Sequence, residues 1–97
     1  MRYELEFAPE AVQDYRSLDA HARSTVRDGI ETHLRHQPTR TSKSRIKRLR
    51  SLSRPQYRLR VGDLRVFYDV VESTVQILAI VKKSRAREWL ERCGEKS

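Results

Sequence analysis

Apolar and charged residues alternate from Arg2 to Phe7, which places Tyr3, Leu5 and Phe7 on one side of an extended segment and predicts a strand. The period then lengthens. Pro9 suits the first turn of a helix, where its missing N–H costs nothing. Ala11, Val12, Tyr15 and Leu18 follow at helical spacing. Asp19 reads as the N-cap of a second helix, in which Ala22, Val26, Ile30 and Leu34 recur every four residues and form one stripe. Gly29 carries a small helix penalty and permits close packing. His36-Gln37-Pro38 ends this helix, and the short link near residues 18–20 predicts an antiparallel helical hairpin.

Residues 39–44 are polar and aperiodic and read as a loop, residues 45–50 alternate as a strand would, and Ser51–Pro55 reads as a turn. Next come two alternating segments, Tyr57–Val61 and Leu64–Tyr68, separated only by Gly62-Asp63. That spacing predicts a tight hairpin of type II′, with Gly62 supplying the positive φ. Such a turn sets the register. Val61 faces Leu64, Arg60 faces Arg65, Leu59 faces Val66, Arg58 faces Phe67 and Tyr57 faces Tyr68. The inner face is then Tyr57, Leu59, Val61, Leu64, Val66 and Tyr68, while Arg58, Arg60 and Arg65 gather on the outer face.

The segment Thr74–Lys82 is apolar on both faces and predicts a central or helix-covered strand. Arg85–Arg92 reads as a short closing helix carrying Ala86, Trp89 and Leu90, with Ser84 as its cap. The order is an N-terminal strand, a two-helix hairpin, an antiparallel sheet of three to four strands and a short C-terminal helix. The class is α+β, with the helices on one side of the sheet.

At 97 residues the length predicts a single domain over residues 1–97 with a thin core. The longest apolar run, Ile77–Val81, is far short of the roughly 20 residues that span a bilayer. The alternating N-terminus lacks the apolar stretch of a signal peptide. The single cysteine, Cys93, excludes an internal disulfide framework. These features predict a soluble cytoplasmic protein with no membrane partner.

Charge narrows the picture further. The formal net charge is +8, and 16 of the 21 cations are arginine, whose planar fork suits phosphate or carboxylate. Residues 40–65 hold ten cations and one anion, Asp63, so the excess charge lies in one contiguous block. Concentration of that kind marks an anion-binding site. Within it, Arg60 opposite Arg65 is a like-charge pair, which destabilises a sheet by a few tenths to about 1 kcal/mol. A phosphate between them would convert repulsion into two charge-assisted contacts. The other candidates are weaker. His21, His33 and His36 fall in the helical hairpin and read as solvated helix residues, without a third metal ligand. Tyr57 and Tyr68 fall on the core face. Trp89, beside Ala86, reads as a packing anchor before a base-stacking platform.

The segments Ile46-Lys47-Arg48-Leu49 and Tyr57-Arg58-Leu59-Arg60-Val61-Gly62-Asp63-Leu64-Arg65-Val66-Phe67-Tyr68 resemble the RelE/ParE superfamily of type II toxins. The order of elements is similar too, so the resemblance covers nearly the whole chain. It implies a toxin neutralised by a cognate acidic, partly disordered antitoxin, with a toxin–antitoxin hetero-oligomer as the resting form. RelE-like members cut mRNA in the ribosomal A site, which implies RNA binding, translation inhibition and a place in stress response. ParE-like members poison DNA gyrase without cutting RNA, and a degenerate member would only bind its antitoxin.

By that resemblance, Arg58, Arg60 and Arg65 grip the RNA backbone and stabilise the phosphorane formed when the 2′-hydroxyl attacks the adjacent phosphate, a reaction that needs no metal or cofactor. Lys43, Arg45, Lys47, Arg48, Arg50, Lys82, Arg85 and Arg87 supply further nucleic-acid contacts. The best-studied RelE-like nucleases carry a tyrosine in the last segment. Here none follows Tyr68, so proton transfer falls to Lys82 or, as the preferred candidate, Lys83. The same departure fits a ParE-like role.

Overall fold

The computed structural model describes residues 2–96. The alternating start of the chain forms β1 (Glu4–Phe7), and the apolar stripes form α1 (Pro9–Ser17) and α2 (Ala20–Leu34). Then come β2 (Ile46–Arg48), β3 (Leu52–Arg54), β4 (Tyr57–Val61), β5 (Leu64–Val71), β6 (Thr74–Lys82), a 3-10 turn over Lys83–Arg85, α3 (Ala86–Cys93) and β7 (Glu95–Lys96). Pro9 sits at the start of α1, and the Asp19 carboxylate caps α2 by accepting from the Ala22 amide at 2.8 Å.

The main sheet has five strands in the order β1-β6-β5-β4-β2. Four of them are antiparallel, and β1 joins β6 in parallel, with Leu5 beside Val75 and Phe7 beside Ile77. A helical hairpin between β1 and the rest lets the chain return in the same direction. The β4–β5 register is the one the sequence predicts, from Val61↔Leu64 through Arg60↔Arg65 to Tyr57↔Tyr68. Gly62 carries the positive φ, +56°.

The main core lies between the helical hairpin and the inner face. It joins Val26, Ile30 and Leu34 of α2 to Leu59, Val61, Val66, Tyr68, Val75, Ile77 and Ile80 of the sheet. Gly29 is a close-packing position: a Cβ there would stand 2.9 Å from Cγ2 of Val61. The Tyr68 ring stacks on Tyr57, and its hydroxyl donates to the Pro38 carbonyl at 2.6 Å.

Several expectations change. The helices do not share one side of the sheet. α3 covers the outer face through a second core of Phe67, Ala79 and Trp89, backed by Leu78, Val81, Ala86 and Leu90. A β-bulge explains how β6 serves both cores. Phe67 pairs with Ala79 while Tyr68 pairs with Ile77, so Leu78 is the extra residue and the inward parity reverses there. Ser51–Pro55 is more than a turn, since β3 within it pairs with β7 and forms a small second sheet. Ser84 does not cap α3: Arg85 occupies the N-cap position and no side-chain cap is made, because the 3-10 turn already leads into the helix. Phe7, on the same side of β1 as Leu5, is 38% exposed at the edge of the sheet.

Candidate functional site: a basic groove on the outer face

The groove is built from the β4–β5 hairpin, the edge strand β2 and the stripe of α3 nearest them. Alternation sends Leu59 and Val66 inward and Arg58 and Arg65 outward, where α3 rises beside them. Arg58, Arg65, Lys47, Lys83 and Arg87 line one cavity of about 610 Å³, together with Leu52 and Lys96 of the small sheet and Gly94 at the end of α3. Lys47 lies directly across the ladder from Arg58. Lys83, Arg87 and Glu91 recur every four residues, so one stripe of the C-terminal segment faces the cavity.

The electrostatics are strongly cationic. The Nε of Arg58 is buried and has no hydrogen-bond partner. Burial, then the charges of Arg65 and Arg60, pull its pKa below the ordinary arginine value. Arg65 is only 6% exposed, and its Nη1 donates to the carbonyls of Gly62 and Leu64, both at 2.9 Å. The hairpin turn thus fixes this guanidinium in place. Among the described residues, no ion pair joins Arg58 or Arg65 to a carboxylate. Two guanidiniums held together without counter-ions favour a bound oxyanion.

The remaining cations divide. Arg60 is exposed and pairs with Arg65 across the ladder, outside the cavity lining. Arg48 donates to the Gln56 carbonyl at 2.9 Å and lies 5.2 Å from the centre of the Tyr57 ring. Arg45 lines a separate cavity at the end of α2, and Lys82 one at the hairpin tip beside Asp63. Lys43, Arg50 and Arg85 are exposed and line neither the groove nor those two cavities. Trp89 is no stacking platform. It is buried, parallel to Phe67 at 4.9 Å, with its Nε1 donating to Glu10 at 2.6 Å. Tyr68 is sealed in the core, where burial pushes its pKa far up.

Among the described residues lining the groove, Glu91 is the one carboxylate, and sequence reasoning missed it. Its four-residue spacing from Arg87 was the available signal. It went unread because α3 was expected on the other side of the sheet. Asp69 has a structural part: its carboxylate accepts from the Gln56 amide at 2.7 Å and pairs with Arg54 at 3.2 Å, tying the β3 segment to β5. Among the described residues no group of three or more His, Cys, Asp or Glu could hold a metal ion. No helix among them is long and apolar enough to cross a membrane.

This sheet and hairpin define a small α+β fold with a basic groove on its outer face. The chain matches the ParE toxin of the parDE type II toxin–antitoxin system over residues 5–87. It belongs to that family, within the RelE/ParE superfamily of type II toxins. No curated protein matches it by sequence. Its fold is that of solved RelE-like toxins. The RelBE2 toxin–antitoxin complex of Mycobacterium tuberculosis aligns with a TM-score of 0.72 at 24% identity, covering 84% of this chain and 99% of that one. The archaeal RelE–RelB complex of Pyrococcus horikoshii gives 0.70 at 24%, covering 88% and 99%. A mutant of the E. coli toxin RelE in the free state gives 0.69 at 20%, covering 96% and 99%.

Proposed function

We propose that this toxin is a metal-independent, ribosome-dependent mRNA endonuclease whose cleavage site is the basic groove, and that a cognate acidic antitoxin holds it inactive. The observation that carries the reading is the buried, unpartnered Nε of Arg58, beside Arg65 and with no ion-pairing carboxylate among the described residues. A phosphodiester in the groove supplies the missing acceptor. In the reaction, the 2′-oxygen bonds to the adjacent phosphorus and the bond to the 5′-oxygen breaks. The products are a 2′,3′-cyclic phosphate and a 5′-hydroxyl. Charge builds on the phosphorane oxygens, where preoriented guanidiniums act without reorganising. Arg65 is preoriented by the hairpin carbonyls, and Arg58 gains its partner only when phosphate arrives. Glu91 accepts the 2′-hydroxyl proton and Lys83 donates to the departing oxygen, the acid–base pair such a step needs. Lys47 and Arg87 hold the flanking backbone.

A second reading, inhibition of DNA gyrase, is favoured by the match to the ParE toxin family. Two assays separate them. In a purified translation system followed by primer extension, the first reading expects mRNA cut only when ribosomes are present, and supercoiling by gyrase undisturbed. Intact mRNA at toxin levels that halt growth, with supercoiling blocked or double-strand breaks trapped, would establish the second reading instead. Binding to the solved complexes' kind of partner, a RelB-like antitoxin, is checked by co-expression with the neighbouring gene, which should restore growth.

A further inference from the structure

A second cavity, of about 320 Å³, lies where the end of α2 meets the loop leading into β2. His33, His36, Arg40, Arg45 and Ser42 line it, and no carboxylate does. Two of its side-chain acceptors are already engaged. The Ser42 Oγ accepts from the amides of Arg45 at 3.0 Å and Ile46 at 3.4 Å, and its hydroxyl keeps one proton to donate. The Gln37 Oε1 accepts from Arg40 at 3.2 Å, leaving the amide NH2. His33 is half-buried, and burial together with the charge of Arg45 holds its pKa below the ordinary imidazole value. An imidazole and two guanidiniums on one wall, with no carboxylate beside them, suit a polyoxygen anion.

We propose that this cavity is a second phosphate-binding site, which holds the backbone of a single-stranded nucleic acid as it leaves the groove around the edge strand β2. The ladder joins residues of the two sites: the Arg60 amide donates to the carbonyl of Arg45 in the cavity at 2.8 Å, and Arg60 pairs across β4–β5 with Arg65 of the groove. A phosphate fits better than a carboxylate, because it accepts from the two guanidiniums, the hydroxyl and the imidazole together, and even neutral His33 can donate through one ring nitrogen. This proposal concerns binding and does not depend on cleavage at the groove.

The test uses the full chain as its Arg58→Gln variant, so that the groove is weakened, with the His33 ring followed by nitrogen-15 NMR. Inorganic phosphate should shift the His33 resonances and raise its titration midpoint, while chloride at matched ionic strength should not. A single-stranded oligoribonucleotide should displace the phosphate. Adding Arg40→Gln and Arg45→Gln should abolish the shift and lower the slope of log affinity against log salt by about 0.7 for each phosphate no longer neutralised. Amide spectra of that variant must stay dispersed, which separates a disabled site from an unfolded chain. Equal effects of phosphate and chloride would overturn the proposal. So would an unchanged salt slope in the Gln variants, or displacement by an acidic peptide but not by RNA. Because His33 reports only its own cavity, failure here leaves the groove reading standing, and failure of cleavage leaves this one standing.

Discussion

The rings of Phe67 and Trp89 stack in parallel, 4.9 Å between centroids and 4° between planes, and this contact fixes α3 on the outer face of the sheet. The indole N–H, donating to Glu10, ties the same helix to α1. Trp89→Ala should therefore cost about 3–5 kcal/mol in urea unfolding, since α3 has little else to bury. Trp89→Phe keeps an aromatic stack and loses the hydrogen bond to a carboxylate, which predicts a smaller loss of about 1–3 kcal/mol. Equal losses for the two variants would show that the stack does not hold α3.

Arg58 makes the opposite prediction. A half-buried cation whose Nε has no partner, beside other cations, is itself destabilising. Arg58→Gln should leave the fold as stable as the wild type, or more so, while abolishing toxicity. A large drop in the urea midpoint would mean that Arg58 is structural. Arg65, bound to two hairpin carbonyls, is the poorer probe, because its removal also disturbs the turn.

Gly29→Ala sets helix propensity against packing. In an exposed helix the change stabilises by about 1 kcal/mol. Here the new methyl meets the buried, β-branched Val61 at 2.9 Å, and overpacking costs about 1–3 kcal/mol. A net loss of about 1 kcal/mol is expected in denaturant unfolding, and a gain would contradict the close approach of α2 to β4.

Asp14 gives a pH dependence with a definite sign. Beyond Ile77 the edge of β6 is no longer covered by β1, and the Asp14 carboxylate accepts the Ile80 amide there at 2.9 Å. Burial raises its pKa above 3.8, the Ile80 hydrogen bond opposes this, and Glu10 adds to it. An acid with a raised folded pKa binds its proton more tightly in the folded state. Its contribution is thus fully present below the unfolded pKa of about 3.8 and is lost as pH rises through the folded one. Asp14→Asn lacks this titration. The stability of the wild type relative to the variant should fall as pH rises from about 4 to 7, as urea unfolding at the two ends will show. Parallel profiles would contradict the burial of Asp14.

Much of this fold is written in local pattern. The Gly62-Asp63 spacing dictates a two-residue turn, and the turn dictates every cross-strand pair of β4 and β5. The stripe of Val26, Ile30 and Leu34 likewise identifies the buried face of α2. What escaped was non-local. The side of the sheet taken by α3 depends on the bulge at Leu78, which turns two successive apolar residues outward and has no signature of its own. The β3–β7 pair joins segments more than 40 residues apart. Both omissions fall on the groove, so Arg58, Arg60 and Arg65 were legible as an outward cationic cluster, while the wall that encloses Arg58 and Arg65 and leaves Arg60 outside, Glu91 included, was not. The pairing of His33 with Arg45 depends on where a loop folds back, and alternation says nothing about that.

The central claim is that the groove positions an RNA phosphate for attack by its neighbouring 2′-hydroxyl. A message carrying one 2′-deoxy nucleotide at the mapped cleavage position tests it most directly in the purified translation system. The account predicts that this message survives, while the all-ribose message is cut to a 2′,3′-cyclic phosphate and a 5′-hydroxyl. Cleavage of the deoxy-substituted message at the same bond would contradict it.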